Sequence, residues 1–237
     1  MSADQPPLGD PQSDARQSFL QLMQERHSVR AFLPEPVSDS LLQQILRSAR
    51  QAPSGANLQP GAFVQVRAQA RERLCGELVA AFRGGMQEVE DYAYFPKPLP
   101  SLLRRRQVAA ARALYGALGL EREDRSGRDQ QFERNFRFFD APVALLVTID
   151  RDFGSGGYMD LGMSLYGLML AARAQGLASC AIGAMASYPT LIRRSLGLDE
   201  RETIVCGMAI GYADESAPVN RTTTARCALD EYFRVIG

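Results

Sequence analysis

The chain has 237 residues, with 27 Lys plus Arg against 27 Asp plus Glu, one His, four Cys and no Trp. A single His excludes a multi-His metal centre, and a formal charge of zero leaves no electrostatic footprint for DNA or RNA. With 46% hydrophobic and 23% charged residues, the composition is that of a folded soluble protein. Cys75, Cys180, Cys206 and Cys227 lie too far apart for a CxxC motif, and scattered thiols point to a reducing compartment. The start, MSADQPPLGDPQSD, lacks the basic and apolar regions of a secretory signal. The longest apolar run, 161–172, is short of the ~20 residues that span a bilayer. A cytoplasmic protein without membrane or nucleic-acid partners is expected.

Residues 1–12 read as a flexible tail, and 13–237 as one domain. Phe19, Leu20, Leu22 and Met23 predict a helix over 14–26 with Ser13 as its cap. After a connector closed by Pro34 and Pro36, Ser38 can cap a helix whose apolar face is Leu41, Leu42, Ile45, Leu46 and Ala49. Residues 53–60 are loop chemistry, 62–66 a strand, and 68–82 a helix ended by Gly84-Gly85. Prolines exclude regular structure over 92–100. A helix over 101–118, a charge-dense stretch to Arg128 and a short helix over 130–139 follow. Residues 143–149 read as a strand buried on both faces. Gly154-Ser155-Gly156-Gly157 reads as a hinge-like loop, before a helix over 159–174 that is apolar nearly all round and ends at Gly176. A short strand over 179–183, a helix over 189–196 with Gly197 at its end, an apolar strand over 203–212 and a short element over 229–235 complete an α+β domain.

Two polar segments stand out as sites. In Arg26-His27-Ser28-Val29-Arg30, three potential cations and a hydroxyl fall where a helix ends. They either complement the negative helix terminus or form an anion pocket. Ser54, Asn57 and Gln59 put three neutral hydrogen-bonding groups on a loop shaped by Gly and Pro, which is either a helix exit or a clamp for a ring or sugar chain. One amphipathic helix joins the two segments, so both can face one extended ligand. Glu88 and Tyr92, one helical turn apart, are weaker candidates. The glycines at 154–157 lack the GxGxxG order of a dinucleotide site, and no Walker A or GxSxG pattern occurs.

Residues 26–30, the run Ala52-Pro53-Ser54-Gly55-Ala56-Asn57-Leu58-Gln59-Pro60, and Gly207-Met208-Ala209-Ile210-Gly211-Tyr212 followed by Leu229-Asp230-Glu231 together resemble the nitroreductase family of FMN-dependent oxidoreductases. The segments 94–99 and 136–143 are similar to its nitrobenzoate and nitrobenzene reductase branch. The resemblance implies an α+β fold with a central mixed or antiparallel sheet flanked by helices. It also implies an intertwined homodimer with FMN in two interface clefts, and NADH or NADPH as donor. Arg26 and Ser28 would hold the FMN phosphate and ribityl chain with help from His27, and Arg30 would sit at the pyrimidine edge. Ser54, Gly55, Asn57 and Gln59 would come from the partner subunit, Ile182 and Gly183 would pass the flavin N5, and Arg226, or else Arg221, would bind the phosphate. No catalytic side chain is implied, because the flavin carries the chemistry, in a ping-pong reduction of nitroaromatics or quinones. Two departures stand out. Gly61 replaces a frequent Trp, which would loosen packing, and Gly183 stands where some members carry Glu. Alternatives are a reductive dehalogenase of the same fold, resting on Ser54-Gly55-Ala56, Glu88, Tyr92 and Lys97, and a flavin-binding sensor or storage protein.

Overall fold

The run 143–149, apolar except for Thr148, lies where its composition requires, inside a sheet covered on both faces. The computed structural model describes residues 11–237, with side chains described from residue 18. In chain order the elements are α1 (Pro11–Glu25), α2 (Asp39–Ala49), β1 (Ala62–Gln65), α3 (Ala68–Arg83), α4 (Ser101–Ala117), α5 (Arg125–Glu133), β2 (Val143–Asp150), α6 (Ser155–Ala174), β3 (Ala178–Ile182), α7 (Pro189–Leu196), β4 (Glu202–Gly211) and α8 (Leu229–Tyr232). The strands form one antiparallel sheet in the order β1-β2-β4-β3.

Side chains alternate across β2, which fixes the two cores. Val143, Leu145, Val147 and Ile149 pack with Leu42 and Ile45 of α2 and Leu161 and Leu168 of α6. Ala144 and Leu146 pack on the other face with Leu74 and Leu78 of α3, Phe136, Phe138, and Leu191 and Ile192 of α7. The result is helix, sheet and helix in three layers. Each fully buried Leu or Ile contributes roughly 1.5–3 kcal/mol relative to exposure.

Several expected ends are met. Ser38 Oγ accepts from the Leu41 N–H at 3.2 Å and caps α2. Gly197, at φ 66°, ends α7, and Gly176, at φ 74°, follows α6. Others are corrected. Helix α1 begins at Pro11, so Pro11 and Gln12 are helical and Ser13 lies inside the first turn; residues 1–10 of the expected tail lie outside the described residues. The helix expected over 130–139 is two pieces. Asp124 Oδ1 accepts from the Gly127 N–H at 2.8 Å and starts α5 within the charge-dense stretch. A 3-10 segment, Arg134–Asp140, then follows, with Phe138 and Phe139 left-handed. The glycines at 154–157 are not a hinge loop, because α6 starts at Ser155. Gly157 packs so closely on Phe153 that a Cβ would lie 2.7 Å from its ring.

A β-bulge interrupts the β2–β4 ladder: Val147 faces Cys206 but Thr148 faces Ile204, which leaves Val205 unpaired. The segment 86–97 closes over this gap. Tyr92 Oη donates to the Val205 carbonyl at 2.7 Å, and Asp91 accepts from the Ile204 N–H at 3.2 Å. Among the described residues no helix is long and apolar enough to cross a membrane.

Candidate functional site

After α1 the chain becomes extended and lies along the open edge of the sheet. Ser28 bridges Ser179 in parallel, the Val29 N–H donates to the Ser179 carbonyl at 3.2 Å, and the Leu33 N–H donates to the Tyr212 carbonyl at 2.9 Å. Val29 points inward and is 2% exposed. A residue the sequence reading missed, Asn220, fixes this segment. Its Oδ1 accepts from the N–H groups of Arg30 and Ala31 at 2.8 and 3.2 Å, and its Nδ2 donates to the carbonyls of Ala31 and Asp214, each at 2.8 Å. Its amide is thereby fully used.

The side chains of the segment are left with capacity to bind. His27 Nδ1 donates to the Glu25 carbonyl at 2.9 Å, leaving Nε2 free to meet a ligand. Arg30 Nη1 donates to the Ser28 carbonyl at 3.2 Å. Among the described residues no carboxylate pairs with Arg26, Arg30, Arg221 or Arg226. Arg26 and His27 line a cavity of about 210 Å³ with Ser179, Asn220, Arg173 and two carboxylate residues, Glu25 and Glu215; Ser28 and Arg30 do not line it. Arg226 does not line it. That side chain is exposed, with Nη1 donating to the Thr224 carbonyl and hydroxyl at 3.0 Å; Arg221 is exposed as well.

Strand β3 connects this cationic end to the expected N5 turn. Ser179 and Gly183 are four residues apart, which spans ~13 Å at ~3.3 Å per residue. Ile182 is buried, and Gly183 opens the 3-10 turn Gly183–Ser187. A Cβ on Gly183 would lie 2.8 Å from the ring of Tyr94. Burial pushes the Cys180 thiol up, against smaller opposing effects from Arg30, Ser28 and Arg26, so the cationic end does not generate a thiolate nucleophile.

The second polar segment is separate within one chain. Ala56, Asn57 and Gln59 all have positive φ, at 49°, 58° and 49°. Such strain persists where surrounding bonds over-determine it. The Gly55 N–H donates to Asp160 Oδ2 at 2.9 Å, the Gln59 N–H to Ser54 Oγ at 2.9 Å, and Gln59 Nε2 to the Asn57 carbonyl at 3.1 Å. Asp160, on α6 and 8% exposed, is a second residue that sequence reasoning missed. Ser54, Gln59 and Asp160 line a cavity of about 280 Å³ that shares no residue with the Arg26 cavity. Gly61 does not loosen this region. At φ 91°, its Cβ would meet Leu161 at 2.6 Å and the Thr148 carbonyl at 3.0 Å, so only glycine fits.

Glu88 and Tyr92 are not on a helix. Glu88 accepts from the Thr190 and Leu191 N–H groups at 2.7 and 3.1 Å and caps α7, while Tyr92 serves the bulge. Both groups are committed to the fold.

Comparison with known proteins places the chain in a family. Residues 23–212 match the model of the Nitroreductase family. The chain is 36% identical over 212 residues to the chloronitrobenzene nitroreductase of Comamonas testosteroni, covering 89% of this chain and 93% of that protein. It is 37% identical over 219 residues to a 4-nitrobenzoate reductase of Pseudomonas putida, covering 92% and 96%. Its fold matches the FMN-dependent nitroreductase NfnB from Mycobacterium smegmatis, solved in complex with NADPH, with TM-score 0.88, 30% identity and coverage of 94% and 100%. The chain belongs to the nitroreductase family.

Proposed function

We propose that this protein is an FMN-dependent oxidoreductase that takes electrons from NADPH or NADH and passes them to nitroaromatic acceptors by a ping-pong scheme, as a homodimer. One observation carries the reading: among the described residues Arg26 and Arg30 pair with no carboxylate, beside Ser28, at one end of an edge strand that Gly183 follows at the other. That arrangement suits an anion at one end and a flat ring beside a glycine backbone at the other. The named chemistry of the relatives agrees with it: one is an FMN-dependent enzyme solved with NADPH, and others are named for nitroarene reduction.

When bound, FMN supplies the hydride chemistry between nicotinamide and acceptor. The chain's own part is binding and charge stabilisation. Arg26 and Ser28 hold the phosphate and His27 offers Nε2, while a second cation, Arg226 or else Arg221, would come from outside the Arg26 cavity. Arg30 stabilises negative charge at the pyrimidine edge, and Gly183 offers a backbone N–H group, whereas the N–H of the buried Ile182 faces β4. Ser54, Gly55, Asn57 and Gln59 of a second copy complete the cleft. Exposed apolar groups support that copy: Met159, Met163 and Tyr166 on one stripe of α6, and Phe19, Leu20 and Met23 on α1. The chain outside its first 12 residues is read as one FMN-binding domain.

The dehalogenase alternative keeps Ser54-Gly55-Ala56 and the exposed Lys97 but not the Glu88 and Tyr92 pair, because Glu88 caps α7 and Tyr92 bonds to the bulge. The test is anaerobic reduction of the purified protein by NADPH and by NADH, then reoxidation with nitroarenes, quinones and halophenols. Bleaching of a yellow protein and recovery with a nitroarene is expected. A colourless protein that FMN cannot reconstitute contradicts the reading, and a flavin that neither nicotinamide bleaches makes the chain a sensor or storage protein.

A further inference from the structure

Helices α4 and α5 and the turn between them line a cavity of about 510 Å³, within the range of small-molecule sites. It shares no residue with the Arg26 cavity or with the Ser54 cavity. One wall is apolar, built by Val108 and Ala111 of α4 and Leu120 of the turn. Arg112, Arg122 and Arg128 also line it, against a single carboxylate residue, Glu121. Among the described residues none of these three arginines forms an ion pair. Arg128 is the one held in place. Its guanidinium carbon lies 4.6 Å from the centroid of the Tyr115 ring, and its Nη1 donates to the Arg122 carbonyl at 3.1 Å. Stack and bond together fix the plane of the fork. Its Nε is buried without a hydrogen-bond partner, so part of the cation has left water uncompensated. Nη2 and the second N–H of Nη1 are left to donate, and an anion there would offset that cost.

From this geometry we infer that the cavity between α4 and α5 is a binding site for small aromatic carboxylates, separate from the flavin cleft. The carboxylate meets the Arg128 fork, and the exposed Arg112 and Arg122 add positive charge around it. The ring lies along Val108, Ala111 and Leu120, beside Tyr115. Both halves of the ligand are needed. A phosphate would use the charge and leave the apolar wall bare, whereas a neutral arene would cover the wall and leave the cations unmatched. The site is built wholly from residues that the proposed flavin chemistry does not use.

The test is calorimetric titration of the full chain, with FMN in excess, using 1-naphthoate, its neutral counterpart 1-naphthamide, and inorganic phosphate. The parent is compared with Arg128→Ala, Tyr115→Ala and Arg112→Ala, and FMN affinity is measured in parallel. The parent should bind 1-naphthoate at least about tenfold more tightly than the amide or phosphate, as a charge-assisted contact added to an apolar one requires. Arg128→Ala should weaken the acid about 10- to 100-fold and erase its advantage over the amide. Tyr115→Ala should weaken it about two- to tenfold, and Arg112→Ala about two- to fivefold. FMN affinity should stay at the parental value in all three variants. Absence of binding in the parent, equal affinity for acid and amide, or phosphate bound as tightly as the acid overturns the inference. So does parental affinity for the acid in Arg128→Ala, which would seat it in another part of the molecule, and so does loss of FMN affinity in that variant. Should Arg128→Ala fail to fold, Arg112→Ala on the exposed rim decides, and an unchanged affinity there overturns the inference. A parent chain that binds the acid but no FMN upholds this site and contradicts the proposed function alone.

Discussion

Two charged clusters lie at opposite ends of β4's neighbourhood and end in different states. Around Asp91 every charge is spent. Arg193 donates to Asp91 at 2.5 Å and to the Glu202 carbonyl at 3.0 Å, Asp91 also receives the Ile204 N–H, and both side chains of the pair are mostly buried. Around Arg26 the backbone is tied just as firmly, by Asn220 and the edge of β3, and Arg173 is spent on Glu25, but Arg26 and Arg30 pair with no carboxylate among the described residues. A closed network holds a fold together. An ordered backbone carrying unspent charge is preorganised for a ligand.

If that contrast is right, changes in the first cluster cost stability, and changes in the second cost affinity. The largest effect is expected for Asp91→Ala, which strands Arg193 and the Ile204 N–H near the bulge. Chemical denaturation should show a loss of about 3–5 kcal/mol, with FMN affinity per folded molecule unchanged. Arg26→Ala should do the reverse, weakening FMN binding by about 1.5–3 kcal/mol, on the order of 10- to 100-fold in Kd, while the unfolding midpoint of the apoprotein stays put. Removing only the hydroxyl in Tyr92→Phe, which leaves the Val205 carbonyl without its donor, should cost about 1–3 kcal/mol of stability in the same assay. The smallest change is Ser38→Ala. It removes the α2 cap far from either cluster and should lower stability by about 0.5–2 kcal/mol without touching flavin binding.

Much of the fold was legible because the signals are local. The β2 run, the Ser38 cap and the Gly197 stop each act within a few residues. The start of α5 was misread because a charge-dense stretch hid its cap at Asp124, four residues before Arg128. The cationic segment was legible as a motif, but what orders it was not. Asn220 reaches Arg30 across 190 residues of sequence, and Asp160 reaches Gly55 across 105. The role of Gly183 was equally hidden, since nothing near it in sequence announces the Tyr94 ring. Gly61 shows the same limit from the other side: it read as lost packing, and it is the residue that lets Leu161 and the Thr148 carbonyl approach.

The central claim, that unspent arginine charge at the start of β3 holds a flavin phosphate, is tested most directly by titrating the apoprotein with FMN and with riboflavin, in the parent and in Arg26→Ala. The parent should bind FMN at least about tenfold more tightly than riboflavin, as expected for a charge-assisted phosphate contact, and the gap should narrow in the variant. Equal affinity for the two flavins in the parent, or an undiminished gap in the variant, would contradict it.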